Sequence, residues 1–194
     1  MYNAFFDYLK KYSSKPLSGE DKAMIRRNFT PLRLKRKEYF LQAGDICMDY
    51  GFIVKGAMRM YSVDDKGLEH VVRLGLEEWW MGDRESFFNR TPSRYHIDAL
   101  EPCELLIVKK EGDAELINSI PAYTEMEMKL YQAAEIANNK RLTSSLTDTA
   151  GKRYADLIER YPAFAVRFPQ HIIASYLGIS KDTLSRVIRN NKLK

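Results

Sequence analysis

The sequence predicts an α+β chain in three parts: a strand-rich barrel or jelly roll, one long helix, and a C-terminal helix-turn-helix. Three observations point to it. Short β-rich runs alternate with turn residues across residues 30–109. A helical stretch free of Pro and Gly runs from Tyr123 to about Leu146. Near the end, residues 170–189 carry the spacing of two short helices around a tight turn.

The last segment is the most constrained. Counting Gln170 as first, apolar side chains fall at places four, eight, ten, fifteen and eighteen: Ile173, Leu177, Ile179, Leu184 and Val187. Ala174 stands where a crossing helix comes close, and Gly178 where the chain must turn through positive φ. Ser180 then caps the second helix through its hydroxyl. Such a pair places one helix in the DNA major groove; an αα-hairpin that merely packs is the alternative.

Ahead of it, residues 2–29 read as helical, with Phe5, Phe6, Leu9 and Tyr12 on one side and a break at Pro16. Ser18 caps a second helix and Asp21 stands at its third position. Residues 57–63 alternate with period two, as a half-buried strand does, and Asp64-Asp65-Lys66-Gly67 reads as the turn of a hairpin. After residue 111 the chain turns helical: a short helix over residues 114–120, stopped by Pro121, and then the long one. There Met126, Leu130, Ala133 and Ala137 step by fours and threes, a seam suited to a dimer or to packing on the chain's own barrel. Thr147–Thr149 breaks the helix, and residues 150–161 form another, with Tyr154, Leu157 and Ile158 on one face, up to Pro162. The implied domains are 1–120, 121–146 and 147–194.

Composition narrows the class. The 194 residues carry a net charge of +5, but from Arg141 onward ten Lys/Arg face four Asp/Glu, while the preceding part is near neutral. Positive charge therefore collects on the helix-turn-helix, where phosphates would be met. No apolar run reaches the roughly 20 residues of a membrane span. The start, with Asp7 in an amphipathic stretch, lacks a signal peptide's features. Cys47 and Cys103 read as two reduced, buried thiols of a cytoplasmic protein.

This order of parts resembles the Crp/Fnr (cyclic-AMP receptor protein / fumarate-nitrate reductase regulator) family of bacterial transcription regulators. The residues that carry the resemblance are Gln42-Ala-Gly-Asp45, Phe52 through Tyr61, Asp65-Lys-Gly67, Trp80-Met-Gly-Asp83, and Arg153-Tyr154 onward through Ser180. The resemblance implies a cyclic-nucleotide-binding-like double-stranded β-helix (jelly roll), a dimerisation helix and a DNA-reading domain. Implied partners are double-stranded DNA at a pseudo-palindromic operator, a second copy of the chain, and RNA polymerase, with no membrane role. Implied base-facing residues are Lys181, Asp182 and Arg186. Arg186 can grip guanine O6 and N7, Asp182 can accept from cytosine N4 or orient Arg186, and Lys181 can turn to phosphate. Ser180 and Thr183 suit phosphates, Ser185 is exposed on the same helix, and Arg189, Lys192 and Lys194 add attraction without sequence preference. Longer members continue into a two-stranded wing. Here Lys194 follows Arg189 by five residues, so the wing is expected to be absent or truncated.

Members that bind cyclic AMP open their phosphate cassette with Gly-Glu and close it with Arg-Ser about ten residues later. In this chain Gly82-Asp83 opens it, with Asp in the place of Glu. Ser93 holds the Arg place, or Arg94 does if the loop is longer, and then Tyr95 stands where Ser should be. The departure argues against cyclic AMP and leaves two readings: another small effector in the same cavity, or none. Asn138 is a further candidate on the long helix, as a cavity-closing residue, a register-setting one, or a solvated one. No cofactor is implied. Two cysteines do not make a cysteine-held iron–sulfur cluster, and His70, His96 and His171 do not converge as metal ligands of a jelly-roll enzyme would. Trp79-Trp80 read as core or rim packing, or as a stacking platform. The implied function is a ligand-gated DNA-binding regulator rather than an enzyme. Alternatives are a regulator with a degenerate cavity, and a small-molecule binder whose helix-turn-helix serves only as an interaction module.

Overall fold

The computed structural model describes residues 1–191. Lys192 and Lys194, and with them the question of a wing, lie outside the described residues.

The first helix, α1 (Tyr2–Tyr12), buries Phe5, Phe6, Tyr8 and Leu9. The second, α2 (Gly19–Asn28), starts at the expected capping box. The Asp21 N–H donates to Ser18 Oγ at 3.0 Å, and the Ser18 N–H donates to Asp21 Oδ2 at 2.8 Å. Two orphan donors of the helix start are thereby satisfied.

Eight strands follow: β1 (Phe29–Leu34), β2 (Tyr39–Leu41), β3 (Asp49–Lys55), β4 (Met58–Val63), β5 (Glu69–Gly75), β6 (Trp80–Met81), β7 (His96–Ala99) and β8 (Cys103–Lys109). They form two four-stranded sheets, in the orders β1-β8-β3-β6 and β2-β7-β4-β5. The β1–β8 pair runs antiparallel in continuous register from Phe29↔Val108 to Leu34↔Cys103. Eight short strands in two such sheets are the jelly-roll arrangement. Inward residues such as Phe52, Ile53, Met58, Leu74, Ile97, Leu105 and Leu106 are buried. Trp80 is half-buried against the core: its ring packs edge-on against Phe5 and Phe52 and stacks with Tyr50. Phe5 also meets Phe29 and Phe52 at 4.7 and 5.0 Å between centroids, which ties α1 to the strands.

Gly56 turns the chain between β3 and β4 at φ +114°, and a Cβ there would lie 2.4 Å from Cys103 Sγ, so only glycine fits. The β4–β5 hairpin closes where expected. The Asp64 N–H donates to Leu68 O, and the Asp64 carboxylate accepts from the Lys66 and Leu68 N–H groups.

Between β6 and β7 lies a helix the sequence pattern does not announce, α3 (Arg84–Asn89), capped by Asp83. Its six residues are too few to show a 3.6-residue period. After β8, α4 (Lys110–Ser119) begins before the expected residue 114 and runs through Gly112. A Cβ at Gly112 would lie 2.8 Å from Asn28 Oδ1, so the small residue lets α4 lie against α2. The long helix α5 (Pro121–Thr147) then begins on proline, which has no N–H to leave unpaired in a first turn. Its expected seam divides by position: Met126 is buried in its own chain, Leu130 and Ala137 are half-buried, and Ala133 is exposed. Further helices are α6 (Ala150–Arg160), the unexpected one-turn α7 (Ala163–Arg167), α8 (Gln170–Leu177) and α9 (Lys181–Asn191).

By contacts the chain divides into two compact units. One comprises Met1–Met60 with Leu74–Ala133, and the other comprises Tyr61–Arg73 with the chain from Ala134. Among the described residues no helix is long and apolar enough to cross a membrane.

Candidate nucleic-acid interface and ligand cassette

The C-terminal helices pack on an apolar centre. Phe164, Phe168, Ile172, Ile173, Ala174 and Leu184 are buried, and the Phe164 and Phe168 rings meet edge-on at 4.8 Å. Gly178 ends α8 in the left-handed region, at φ +66° and ψ +37°. Its N–H donates to Ser175 O, and the Ile179 N–H reaches back to Ala174 O, both at 3.0 Å. This is a Schellman turn, which satisfies two carbonyls of the helix end. Arg153 on α6 satisfies a third, donating from Nη1 to Leu177 O at 2.8 Å.

The next helix is capped by Ser180, whose Oγ accepts from the Thr183 N–H at 3.1 Å. On α9, Leu184 faces inward. Lys181, Asp182, Ser185, Arg186 and Arg189 are exposed, Ser180 is exposed at the cap, and Thr183 is half-buried. Local contacts are modest: Ser185 Oγ donates to Lys181 O, and Arg186 Nη2 reaches Thr183 Oγ1 at 3.5 Å. The guanidinium of Arg186 and the ammonium of Lys181 thus stand in water on one helix, beside the acceptor Asp182. That set can donate to guanine and accept from cytosine.

The first helix of the pair is clasped to the β4–β5 hairpin. Ser175 Oγ on α8 donates to Glu69 O and accepts from the Val71 N–H, both at 2.9 Å. Since β5 is an edge strand, one hydroxyl satisfies a donor and an acceptor that the sheet leaves unpaired. Arg141 of α5 adds a bond from Nη1 to Val72 O at 2.7 Å, and its guanidinium lies 5.0 Å from the Tyr176 ring centre.

In the other unit, the cassette residues Gly82, Asp83, Ser93 and Tyr95 come together. The Tyr50 ring lies against Gly82 so closely that a Cβ would sit 2.2 Å from it. Asp83 is buried and doubly engaged: Oδ1 accepts from the Glu85 N–H at 3.1 Å, and Oδ2 accepts from Ser93 Oγ at 2.7 Å. Ser93 Oγ in turn accepts from the Tyr95 N–H at 3.0 Å. Nearby, Ser86 Oγ accepts from the Cys47 N–H and donates to Thr91 O. Arg94 stands apart: 71% of its side chain is exposed, it pairs with Glu85 at 3.8 Å, and its guanidinium lies 5.8 Å from the Tyr95 ring centre. Asn138 belongs to the second unit and is exposed on α5. A cyclic phosphate placed between Asp83 and Ser93 would therefore meet a carboxylate rather than a guanidinium.

The other singled-out residues are held locally. Cys47 and Cys103 are free, buried thiols, and burial pushes Cys47 up to about 11. His70 bonds Asp64 at 2.8 Å, and His96 Nδ1 accepts from the Ala43 N–H. Two half-buried arginines that no motif marks are also paired. Arg59 on β4 grips Asp98 on β7 with two parallel bonds, at 2.8 and 2.9 Å. Arg84, the first residue of α3, pairs with Glu127 of α5 at 3.3 Å. Neither pair has a sequence signal, because the partners are 39 and 43 residues apart.

Residues 31–119, which span the strands from β1 to β8 and α4, match the family model of the cyclic nucleotide-binding domain. Solved structures match over most of the chain. A mutant of CooA from Carboxydothermus hydrogenoformans gives a TM-score of 0.70 at 14% identity, covering 93% of this chain and 86% of its own. FixK2 from Bradyrhizobium japonicum gives 0.68 at 19%, covering 84% and 83%. A regulator assigned to the crp/fnr family from Eubacterium rectale gives 0.66 at 16%, covering 91% and 84%. By sequence, no curated protein matches. The chain shares with these structures a fold of two strand-rich sheets followed by a C-terminal helical region.

Proposed function

We propose that the chain is a sequence-specific DNA-binding transcription regulator of the Crp/Fnr type. One observation carries this reading: Lys181, Asp182, Ser185, Arg186 and Arg189 stand exposed on a helix that follows the Gly178 turn of α8, whose end Arg153 of α6 holds at Leu177 O. Lys181, Asp182 and Arg186 read bases, while Ser180, Thr183 and Arg189 meet phosphates. The protein acts as a homodimer on a two-fold operator in the cytoplasm, with residues 121–146 as the dimer helix. Support comes from the apolar side chains α5 leaves in water: Met128, Tyr131, Ile136, Leu142 and Leu146, the last 79% exposed. Residues 1–120 form the sensor and 147–194 the reader. A small effector other than cyclic AMP shifts the two readers between competent and incompetent arrangements by binding one more tightly.

One observation favours a second reading, a regulator active without an effector. The polar groups of the cassette bond one another, Asp83 to Ser93 and Ser86 to Cys47 and Thr91, so the loop is ordered as it stands. A thermal-shift screen of nucleotides and small acids, run with DNA present, separates the two. A ligand that raises the melting temperature and changes DNA affinity supports gating. Full affinity of the unliganded protein with no shift by any compound supports constitutive binding.

A further inference from the structure

Beneath the cassette, the first unit buries an unbalanced set of charges. Glu127 and Asp113 are carboxyl groups 8% and 7% exposed, on α5 and α4. The cation they face is Arg84, at the start of α3. Its Nη2 reaches Glu127 Oε2 at 3.3 Å, and its guanidinium lies 3.5 Å from the centre of the Tyr131 ring. Arg84 Nε is buried with no hydrogen-bond partner among the described residues. Asp113 accepts from the Tyr123 hydroxyl at 2.7 Å, which leaves its charge in place. The remaining neighbours are phenols: Tyr123 and Tyr131 of α5, Tyr50 of β3 and Tyr8 of α1. Two carboxylates against one guanidinium leave a buried negative charge without a partner, and such a site lowers its free energy by binding a proton.

We propose that Arg84, Glu127 and Asp113 form a proton-sensitive clamp between α3 and α5, in which Glu127 takes up the proton and thereby releases Arg84. Burial raises Asp113 as well, but the Tyr123 hydroxyl donates to its ionised form and pulls it back, so the proton goes to Glu127. Burial first, then the neighbouring Asp113 charge, push Glu127 up to about 7, against the pull of Arg84. The clamp therefore titrates in the near-neutral range. Protonation costs Arg84 the Glu127 charge, its hydrogen-bonded partner, while the Asp113 charge and the Tyr131 ring remain near it. The geometry gives this event a direction: Asp83, the residue before Arg84, caps α3 and holds Ser93, so freeing Arg84 loosens the cassette end of α3.

The test is a carbon-detected NMR titration of side-chain carboxyls in the full chain from about pH 5 to 8.5, spanning the ordinary and the raised carboxyl ranges, with Glu127 assigned by its absence in Glu127→Gln. The Arg84 Nε–H signal is followed in parallel. The expected Glu127 midpoint is near 7, the Arg84 signal moves with the same midpoint, and that movement is absent in Glu127→Gln. Asp113→Asn, which retains an acceptor for Tyr123, lowers the midpoint by at least about half a pH unit. A Glu127 midpoint below about 5, a midpoint unmoved by Asp113→Asn, or an Arg84 signal that stays still across the range overturns the clamp.

Discussion

Replacing Gly178 by alanine isolates the backbone cost of the helix-turn-helix turn. The residue sits at φ +66°, and a Cβ built there meets nothing within 4 Å. No clash contributes, so the penalty is that of a left-handed alanine, about 1–2 kcal/mol. Alanine also restricts the unfolded chain, which returns about 0.4–1 kcal/mol. The net loss is then about 1 kcal/mol, or roughly a fivefold loss of protection against opening. Native-state amide exchange at Ile173 and Leu184, buried residues of α8 and α9, reads it directly. Gly178→Asn should lose less, because asparagine tolerates this region better. Gly56→Ala should lose far more, since strain at φ +114° adds to an overlap with Cys103. Equal or greater protection in Gly178→Ala would refute the assignment of this turn as the strained element of the reader.

Three other outcomes follow from the geometry. Glu127 is held above its ordinary value, so its protonated form stabilises the fold: the contribution is full at acid pH and is lost as pH rises through about 7. Glu127→Gln should remove that dependence and be about 3 kcal/mol more stable than the wild type at about pH 8, but no more stable at about pH 4. Urea unfolding at both values measures this, and a destabilised variant at the higher pH contradicts it. Ser175→Ala should speed exchange of the Val71 amide at least about tenfold while Ser175→Thr protects it, because the hydroxyl accepts that N–H; unchanged exchange removes the clasp. Cyclic AMP at millimolar concentration should give no calorimetric binding signal, because Asp83 lies in the cassette and Arg94 points to water. Saturable binding there would show that Arg94 can turn inward.

What was legible in the sequence is what local chemistry decides. The Ser18–Asp21 box, the Asp64–Gly67 hairpin and the spacing around Gly178 each reveal a structure within a few residues, and each forms as read. The two helices missed, α3 and α7, are one or two turns long, too short for a hydrophobic period to declare them. The cassette was legible as a segment but not as a bonding pattern. Asp83 reads as a shortened Glu, yet its oxygens cap a helix and hold Ser93, a partner ten residues away. Arg59–Asp98 and Arg84–Glu127 were out of reach altogether. Neither Arg59, a single charge in an apolar run, nor Arg84, set between two acidic residues, gives a hint of where the fold brings its partner, and only the sheet order and the packing of α3 against α5 decide it.

The most direct test of the central reading is the affinity of the wild type and the Lys181→Ala/Arg186→Ala variant for a duplex selected from a random pool. Both side chains are exposed and their contacts are local, so the variant should fold as stably as the wild type. The account predicts a selected duplex with two-fold symmetry and half-sites one helical turn apart. It also predicts a loss of at least about 30-fold in affinity for that duplex, against a much smaller loss for unrelated DNA. A pool that yields no preferred duplex, or a variant that keeps its preference, would contradict it.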